Sequence, residues 1–154
     1  PKVSTYDLQP EMSAFEVTDK VCQSIINDHP NFICLNYANP DMVGHTGVPQ
    51  AIVKSCETVD SCIKKVVEVG SEQGYSFVII ADHGNADIMV NEDGSPHTAH
   101  SLNLVPVIVI DDKVSKISNG ILADIAPTVL HLLNIDLPNQ MTGSSLISLI
   151  KLVN

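Results

Sequence analysis

The sequence predicts an α/β fold with a mainly parallel sheet flanked by helices. Three short apolar runs, at about residues 32–36, 76–81 and 105–110, are bounded by turn residues and have the length typical of buried strands. Segments with helical periodicity separate or flank these runs. Strands separated by helices indicate a parallel sheet.

The first helix and the first strand are defined by local signals. Ser13 and Glu16 fit the S-x-x-E capping box, and the helical spacing of the apolar residues that follow predicts a helix over about residues 13–28. Pro30 ends this helix, and the apolar run at residues 32–36 comes next. The apolar residues assigned to the helix are Phe15, Val17, Val21, Ile25 and Ile26.

Two further helices are predicted from proline and apolar positions. Pro49 can open a helix that closes near Gly70. Asp124 can cap a last helix that has Pro127 in its first turn. The leucines expected on the buried side of that last helix are Leu130, Leu132 and Leu133.

The charge of the chain excludes some classes of partner. The formal net charge is -10 over 154 residues, and all eight cationic side chains are Lys, so the chain contains no Arg. An acidic surface repels a nucleic-acid backbone, and it also disfavours binding of a phosphorylated metabolite unless a metal cation is present. No apolar run approaches the roughly 18 residues of a membrane helix. We therefore expect neither a nucleic-acid partner nor a membrane span.

The cysteines suggest a cellular location. The four cysteines contain no C-x-x-C pair and are expected to be structural free thiols. Residues 1–20 carry charges throughout and lack the apolar stretch of a signal peptide. A cytoplasmic location is the simplest expectation.

Acidic and histidine side chains cluster after successive predicted strands. Asp41 and His45 lie in the loop after the first strand, and Asp82 and His83 directly follow the second. His97 and His100 precede the third strand. The crevice beyond the carboxyl ends of the strands is the usual ligand site of open α/β sheets, so these side chains fall where chemistry is expected.

The residue types in these clusters suit metal ions. Carboxylate oxygens together with imidazole nitrogens favour Mn²⁺ or Zn²⁺, whereas Mg²⁺ sites usually contain oxygen alone. Two such ions roughly 3.5–4 Å apart can stabilise both the entering and the leaving oxygen of a phosphoryl group. Each motif alone has an ordinary structural explanation, such as a loop hydrogen bond or a cap. Their combination at successive strand ends favours a two-metal centre.

The sequence motifs around these residues resemble those of a known family. The sequence is similar to the cofactor-independent phosphoglycerate mutases of the alkaline phosphatase superfamily, and the resemblance runs from Pro1 to near the C-terminus. It implies a partial alkaline-phosphatase-like domain. The matching motifs are Tyr6-Asp7-Leu8-Gln9-Pro10-Glu11-Met12, Asp41-Met42-Val43-Gly44-His45, Ala81-Asp82-His83-Gly84-Asn85-Ala86-Asp87, His97-Thr98-Ala99-His100 and Leu122-Ala123-Asp124-Ile125-Ala126-Pro127-Thr128.

The resemblance implies a division of the ligands between two Mn²⁺ ions, with Zn²⁺ or Mg²⁺ as alternatives and no organic cofactor. Asp41, His45 and His100 would hold one ion, and the adjacent pair Asp82 and His83 would hold the other. His97 has no metal role in this assignment.

The resemblance also implies the activity of a parent protein. The family interconverts 3-phosphoglycerate and 2-phosphoglycerate through a phosphoserine intermediate, in glycolysis and gluconeogenesis. Residues 1–154 would be the C-terminal part of the phosphatase domain, with its N-terminal part and the inserted arginine-bearing domain absent. No serine here matches the nucleophile, so this segment supplies no catalytic residue, depends on the rest of the parent chain and is expected to be inactive alone.

Two other interpretations stay open at this point. The chain could belong to another phosphomutase or phosphatase of the superfamily, such as a phosphopentomutase, which a substrate domain would distinguish. It could also be a non-catalytic module whose Asp and His side chains make structural hydrogen bonds. Metal binding would separate the last interpretation from the others.

Overall fold

The computed structural model describes residues 1–150 and divides them into two units. The first unit contains Pro1–Gly74 and His83–Val105, and the described part of the second contains Tyr75–Asp82 and residues 106–150. Residues 151–154, which the resemblance assigned to the C-terminal part of a phosphatase domain, lie outside the described residues. Within the described part, no helix combines the length and the apolar character that crossing a bilayer requires.

The first unit is helical. After a short 3-10 helix at Tyr6–Leu8 come α1 (Ala14–Asn27), α2 (Asn39–Gly44) and α3 (Pro49–Glu72). Helices α1 and α3 pack against each other, and α2 packs on α3. The two long predicted helices are confirmed. The second runs past Gly70 because the turn residue with positive φ is Gly74, at +79°.

Helix α1 differs from its prediction in its cap and in its buried face. Ser13 makes no side-chain capping bond, and Glu16 instead accepts a hydrogen bond from Lys20 at 2.8 Å. Phe15 and Ile26 are 53% and 50% exposed, because a helix buries a single stripe. The residues that form the buried stripe are Ala14, Thr18, Cys22 and Ile25.

The second unit contains the strands and the last helix. Strands β1 (Phe77–Ile80) and β2 (Val107–Ile110) pair with each other, and β3 (Val114–Ile117) pairs with β4 (Ile147–Leu149). Helix α4 spans Ile125–Leu132.

The predicted helix after Asp124 is confirmed, but its buried side is different. Pro127 and Thr128 are buried, whereas Leu133 is 40% exposed. The Asp124 side chain does not cap α4 and accepts hydrogen bonds from the main-chain N–H of Ile121 and of Ser144.

The α/β class is confirmed, but the prediction of a mainly parallel sheet is wrong for the described strands. Both strand pairs are antiparallel, with Phe77 opposite Ile110 in the first. A parallel connection needs a crossover, usually a helix, and no helix is described between β1 and β2. The chain therefore returns along β1 in the opposite direction.

The strand predicted at residues 32–36 is also not observed. These residues have no regular secondary structure, and Phe32 is 59% exposed. A strand exists through pairing with a neighbour, and no ladder partner for this run is found among residues 1–150. An apolar run alone therefore does not make a strand.

Candidate metal centre

Helix α2 presents two of the predicted ligands. Asp41 lies in the first turn of this helix and His45 directly follows its last residue, so the two side chains, four residues apart, share one face. A short helix therefore forms where the sequence predicted a loop. Val43 on the opposite side is fully buried and packs with Ala51 and Ile52 of α3. The side chain of Asn39 anchors the start of the helix by donating to the main-chain oxygens of residues 10 and 11, at 2.8 Å each. The packing of Val43 and the hydrogen bonds of Asn39 therefore fix the helix, and with it the two candidate ligands.

Four of the five predicted ligands come together in the first unit. The Nε2 atoms of His45 and His100 each lie 3.1 Å from Oδ1 of Asp41. The imidazole of His83 stacks on that of His100, with ring centroids 3.7 Å apart and planes inclined by 15°. One ligand atom from each of Asp41, His83 and His100 lies within 4.8 Å of the other two. Residues 41 and 100, far apart in sequence, thus meet as the motifs predicted.

The remaining two residues from the sequence motifs are placed differently. Asp82 follows β1 in the second unit and has an exposed side chain, so its role as a ligand stays a prediction. His97 is not a member of the cluster. Its Nδ1 lies 2.7 Å from Oδ1 of Asn91, and its Nε2 is buried with no hydrogen-bond partner among the described residues.

A hydrogen bond of His45 to a main-chain oxygen indicates which ring nitrogen is available to a cation. Its Nδ1 lies 2.7 Å from the main-chain oxygen of Thr98, which can only accept, so Nδ1 carries the proton. In the neutral ring, Nε2 is then an acceptor that faces a carboxylate oxygen of Asp41 at 3.1 Å. Two acceptors in contact repel each other unless a cation or a proton lies between them. A divalent cation fits this donor set of one carboxylate and several imidazoles.

Asn85 orients the carboxylate at the centre of the cluster. It is 6% exposed, and its Nδ2 donates to Oδ1 of Asp41 at 2.8 Å. A Cβ atom at Gly44 would overlap the Asn85 amide, so the glycine permits this close approach. The sequence interpretation assigned no role to Asn85 or to the Thr98 carbonyl. Such partners orient ligands and are a regular part of metal sites.

The cluster is accessible from solvent. The side chains of His45 and His100 are 41% and 48% exposed, and that of Asp41 is 32% exposed. An ion can therefore enter without opening the fold.

Curated proteins similar to the chain carry one name. It is 56% identical over 148 residues to the 2,3-bisphosphoglycerate-independent phosphoglycerate mutase of Bacteroides fragilis, and 51% identical over 147 residues to that of Flavobacterium johnsoniae. Each match covers 96% of this chain but 29% of the relative. The chain therefore spans less than a third of the length of these relatives.

A solved structure and a family profile agree with this similarity. A crystal structure of Leishmania mexicana phosphoglycerate mutase, at low cobalt concentration, superposes with a TM-score of 0.86 and 26% identity. The superposition covers 97% of this chain and 30% of that one. The sequence profile of the Metalloenzyme superfamily matches residues 1–137, a range that includes every predicted ligand. The chain therefore belongs to the Metalloenzyme superfamily.

Proposed function

We propose that this chain is the C-terminal metal-binding segment of a cofactor-independent phosphoglycerate mutase. The parent protein would interconvert 3-phosphoglycerate and 2-phosphoglycerate in the cytoplasm. The observation that carries this proposal is the convergence of Asp41, His45, His83 and His100 in a chain whose relatives are named as such mutases. The nucleophile and the groups that grip the substrate would come from the rest of the parent chain.

The proposed ligand sets divide the cluster between two Mn²⁺ ions. Asp41, His45 and His100 would hold the first ion, which is supported by the two 3.1 Å contacts to Asp41. Asp82 and His83 would contribute to the second, and the stacking of His83 on His100 supports neighbouring sites. Bound divalent cations would screen the acidic chain and polarise a phosphoryl oxygen.

The chain's own residues prepare the first site. The Thr98 carbonyl keeps the proton of His45 on Nδ1 and so leaves Nε2 available as a ligand. The Asn85 amide restrains the Asp41 carboxylate. No Arg is present to bind phosphate oxygens in a bidentate manner, so in this segment the charge of the ions would have to attract the substrate.

Calorimetry with Mn²⁺ on the metal-free chain tests the ligand assignment. We expect His45→Ala and His100→Ala each to weaken binding by more than about 100-fold, above the effect of losing an outer partner. His97→Ala is the matched control, because it removes the same kind of side chain three residues from His100, and His97 bonds Asn91 rather than Asp41. Equal effects of all three substitutions would refute the assignment. Absence of binding by the unaltered chain would favour a non-catalytic module.

An enolase-coupled assay tests the activity. In the parent protein, replacing Asp82 or His83 with Ala should abolish mutase turnover, because these ligands act on the chemical step. The 154-residue chain alone should give no turnover at saturating Mn²⁺. Turnover by this chain that is lost on replacing Asp82 would mean that a nucleophile lies within it.

A further inference from the structure

The histidines at 83 and 100 lie at the two ends of a segment that contains little regular structure. No helix is described between them, and isolated bridges join Gly84 to Ser101 and Val90 to Pro96. The two imidazoles nevertheless stack 3.7 Å apart. The Gly84–Ser101 bridge and the side-chain bonds beside it therefore hold the ends of the segment together.

Ser101 links the residues that follow each histidine. Its main-chain N–H donates to the oxygen of Gly84 at 2.8 Å. Its hydroxyl donates to the carboxylate of Asp87, 2.8 Å from Oδ2 and 3.1 Å from Oδ1. Ser101 is 8% exposed, so water competes little for these bonds. A Cβ atom at Gly84 would overlap the Ser101 hydroxyl, which shows how closely the two ends approach.

The carboxylate of Asp87 accepts a further hydrogen bond, from a residue beyond Ser101. The amide of Asn103 donates to its Oδ2 at 2.6 Å. Hydrogen bonds from Asn103 and Ser101 lower the pKa of Asp87 below its ordinary value, so the side chain stays an ionised acceptor near neutral pH. The carboxylate thus binds residues on the C-terminal side of His100 to the turn that follows His83.

We propose that Asp87 is a positioning residue for the metal centre, which acts through Ser101 to keep the imidazoles of His83 and His100 stacked. The inference rests on the proposed metal centre for its functional meaning. The stacking itself can be measured without metal. The bonds of Asp87 to Ser101, together with the main-chain bond of Ser101 to Gly84, would transmit its effect to the two imidazoles.

Asp87→Ala tests the inference, and Asp93→Ala is the matched control. Both aspartates are exposed, lie in the same segment and accept a hydrogen bond from a serine hydroxyl. Both substitutions remove one negative charge, but Asp93 binds Ser95 within a local turn. Nuclear magnetic resonance of the metal-free chain would report ring-current shifts of the His83 and His100 imidazole protons. Calorimetry would report the Mn²⁺ dissociation constant.

We expect Asp87→Ala to lose the ring-current shifts and to raise the Mn²⁺ dissociation constant about tenfold, the lower end for partners outside the ligand set. Asp93→Ala should leave both readouts unchanged. Asp87→Asn keeps one acceptor oxygen and should restore part of the shifts. Retention of the shifts in Asp87→Ala, or a dissociation constant within about twofold of the unaltered chain, would overturn the inference.

Two further results separate the possible failures. If Asp87→Ala does not fold, Ser101→Ala decides, because it removes the hydroxyl and keeps the main-chain bond to Gly84; unchanged shifts in that variant would overturn the inference. If the unaltered chain shows stacked imidazoles and no Mn²⁺ binding, the proposed metal centre fails. The effect of Asp87 on stacking is then judged from the ring-current shifts alone.

Discussion

Replacing Asn85 with Ala should weaken metal binding without unfolding the chain. The Asn85 amide donates to Oδ1 of Asp41 at 2.8 Å and, over 3.4 Å, to the main-chain oxygen of Asp41. That same Oδ1 faces the Nε2 atoms of His45 and His100. The substitution removes the donor that restrains the carboxylate, so the carboxylate can rotate away from the position that the two imidazoles share.

The size of the effect follows from the contact and its exposure. Loss of a partner that orients a metal ligand reduces metal affinity by about 10–100-fold. The Asp41 side chain is 32% exposed, so water can replace part of the lost hydrogen bond. We therefore expect the lower half of that range, about 10–30-fold, which corresponds to about 1.4–2.0 kcal/mol of binding free energy. A hydrogen bond to a charged group contributes about 1.5–3 kcal/mol, so the two values are compatible.

Calorimetric titration of Mn²⁺ into the chelator-treated chain measures this effect, and circular dichroism of each variant checks the fold. Asn91→Ala is the control, because it removes the same amide from a loop position where it bonds residues 95 and 96 rather than Asp41. A dissociation constant for Asn85→Ala within about twofold of the unaltered chain would refute the reasoning. An equal loss in Asn91→Ala would refute it as well, because the effect would then not depend on contact with Asp41.

Three further predictions concern stability and association. Ile52→Ala should lower the free energy of unfolding, measured in urea titrations, by about 3 kcal/mol, because Ile52 is 2% exposed. Val53 is 47% exposed, so Val53→Ala should lower that free energy by less than about 1 kcal/mol. The N–H groups of Ile121 and Ser144 lower the pKa of Asp124, so its stabilisation is complete above the ordinary Asp range and is lost as pH falls through the lowered value. At pH 7 the Tm of Asp124→Asn should therefore be about 4 °C lower than that of the unaltered chain. Below about pH 4 the Tm of Asp124→Asn should fall less than that of the unaltered chain. Identical pH profiles of the two proteins would contradict this prediction. Large apolar side chains such as Leu102 and Leu104 are fully exposed, so light scattering should detect self-association or a dye should bind, and a monomer without dye binding would count against this expectation.

Local signals in the sequence predicted the long helices and the motifs of the candidate site, but not the short helix α2. The start of α3 at Pro49 and the apolar runs that became β1 and β2 depend on neighbouring residues, and such patterns can be read without knowing the rest of the fold. The Asp and His motifs also identified four side chains that converge, because carboxylates and imidazoles at this spacing have few other common uses together.

Tertiary structure decided which strands pair, in which direction and how the ligands are held. The run at residues 32–36 is as apolar as a strand, but pairing requires a partner that no local pattern specifies. The antiparallel return of β2 along β1 depends on the path of the chain between them. Asn85 reaches Asp41 across 44 residues, and the Thr98 carbonyl reaches His45 across 53. Residues so far apart in sequence come into contact only when the chain folds, so residue types and local spacing do not predict these contacts.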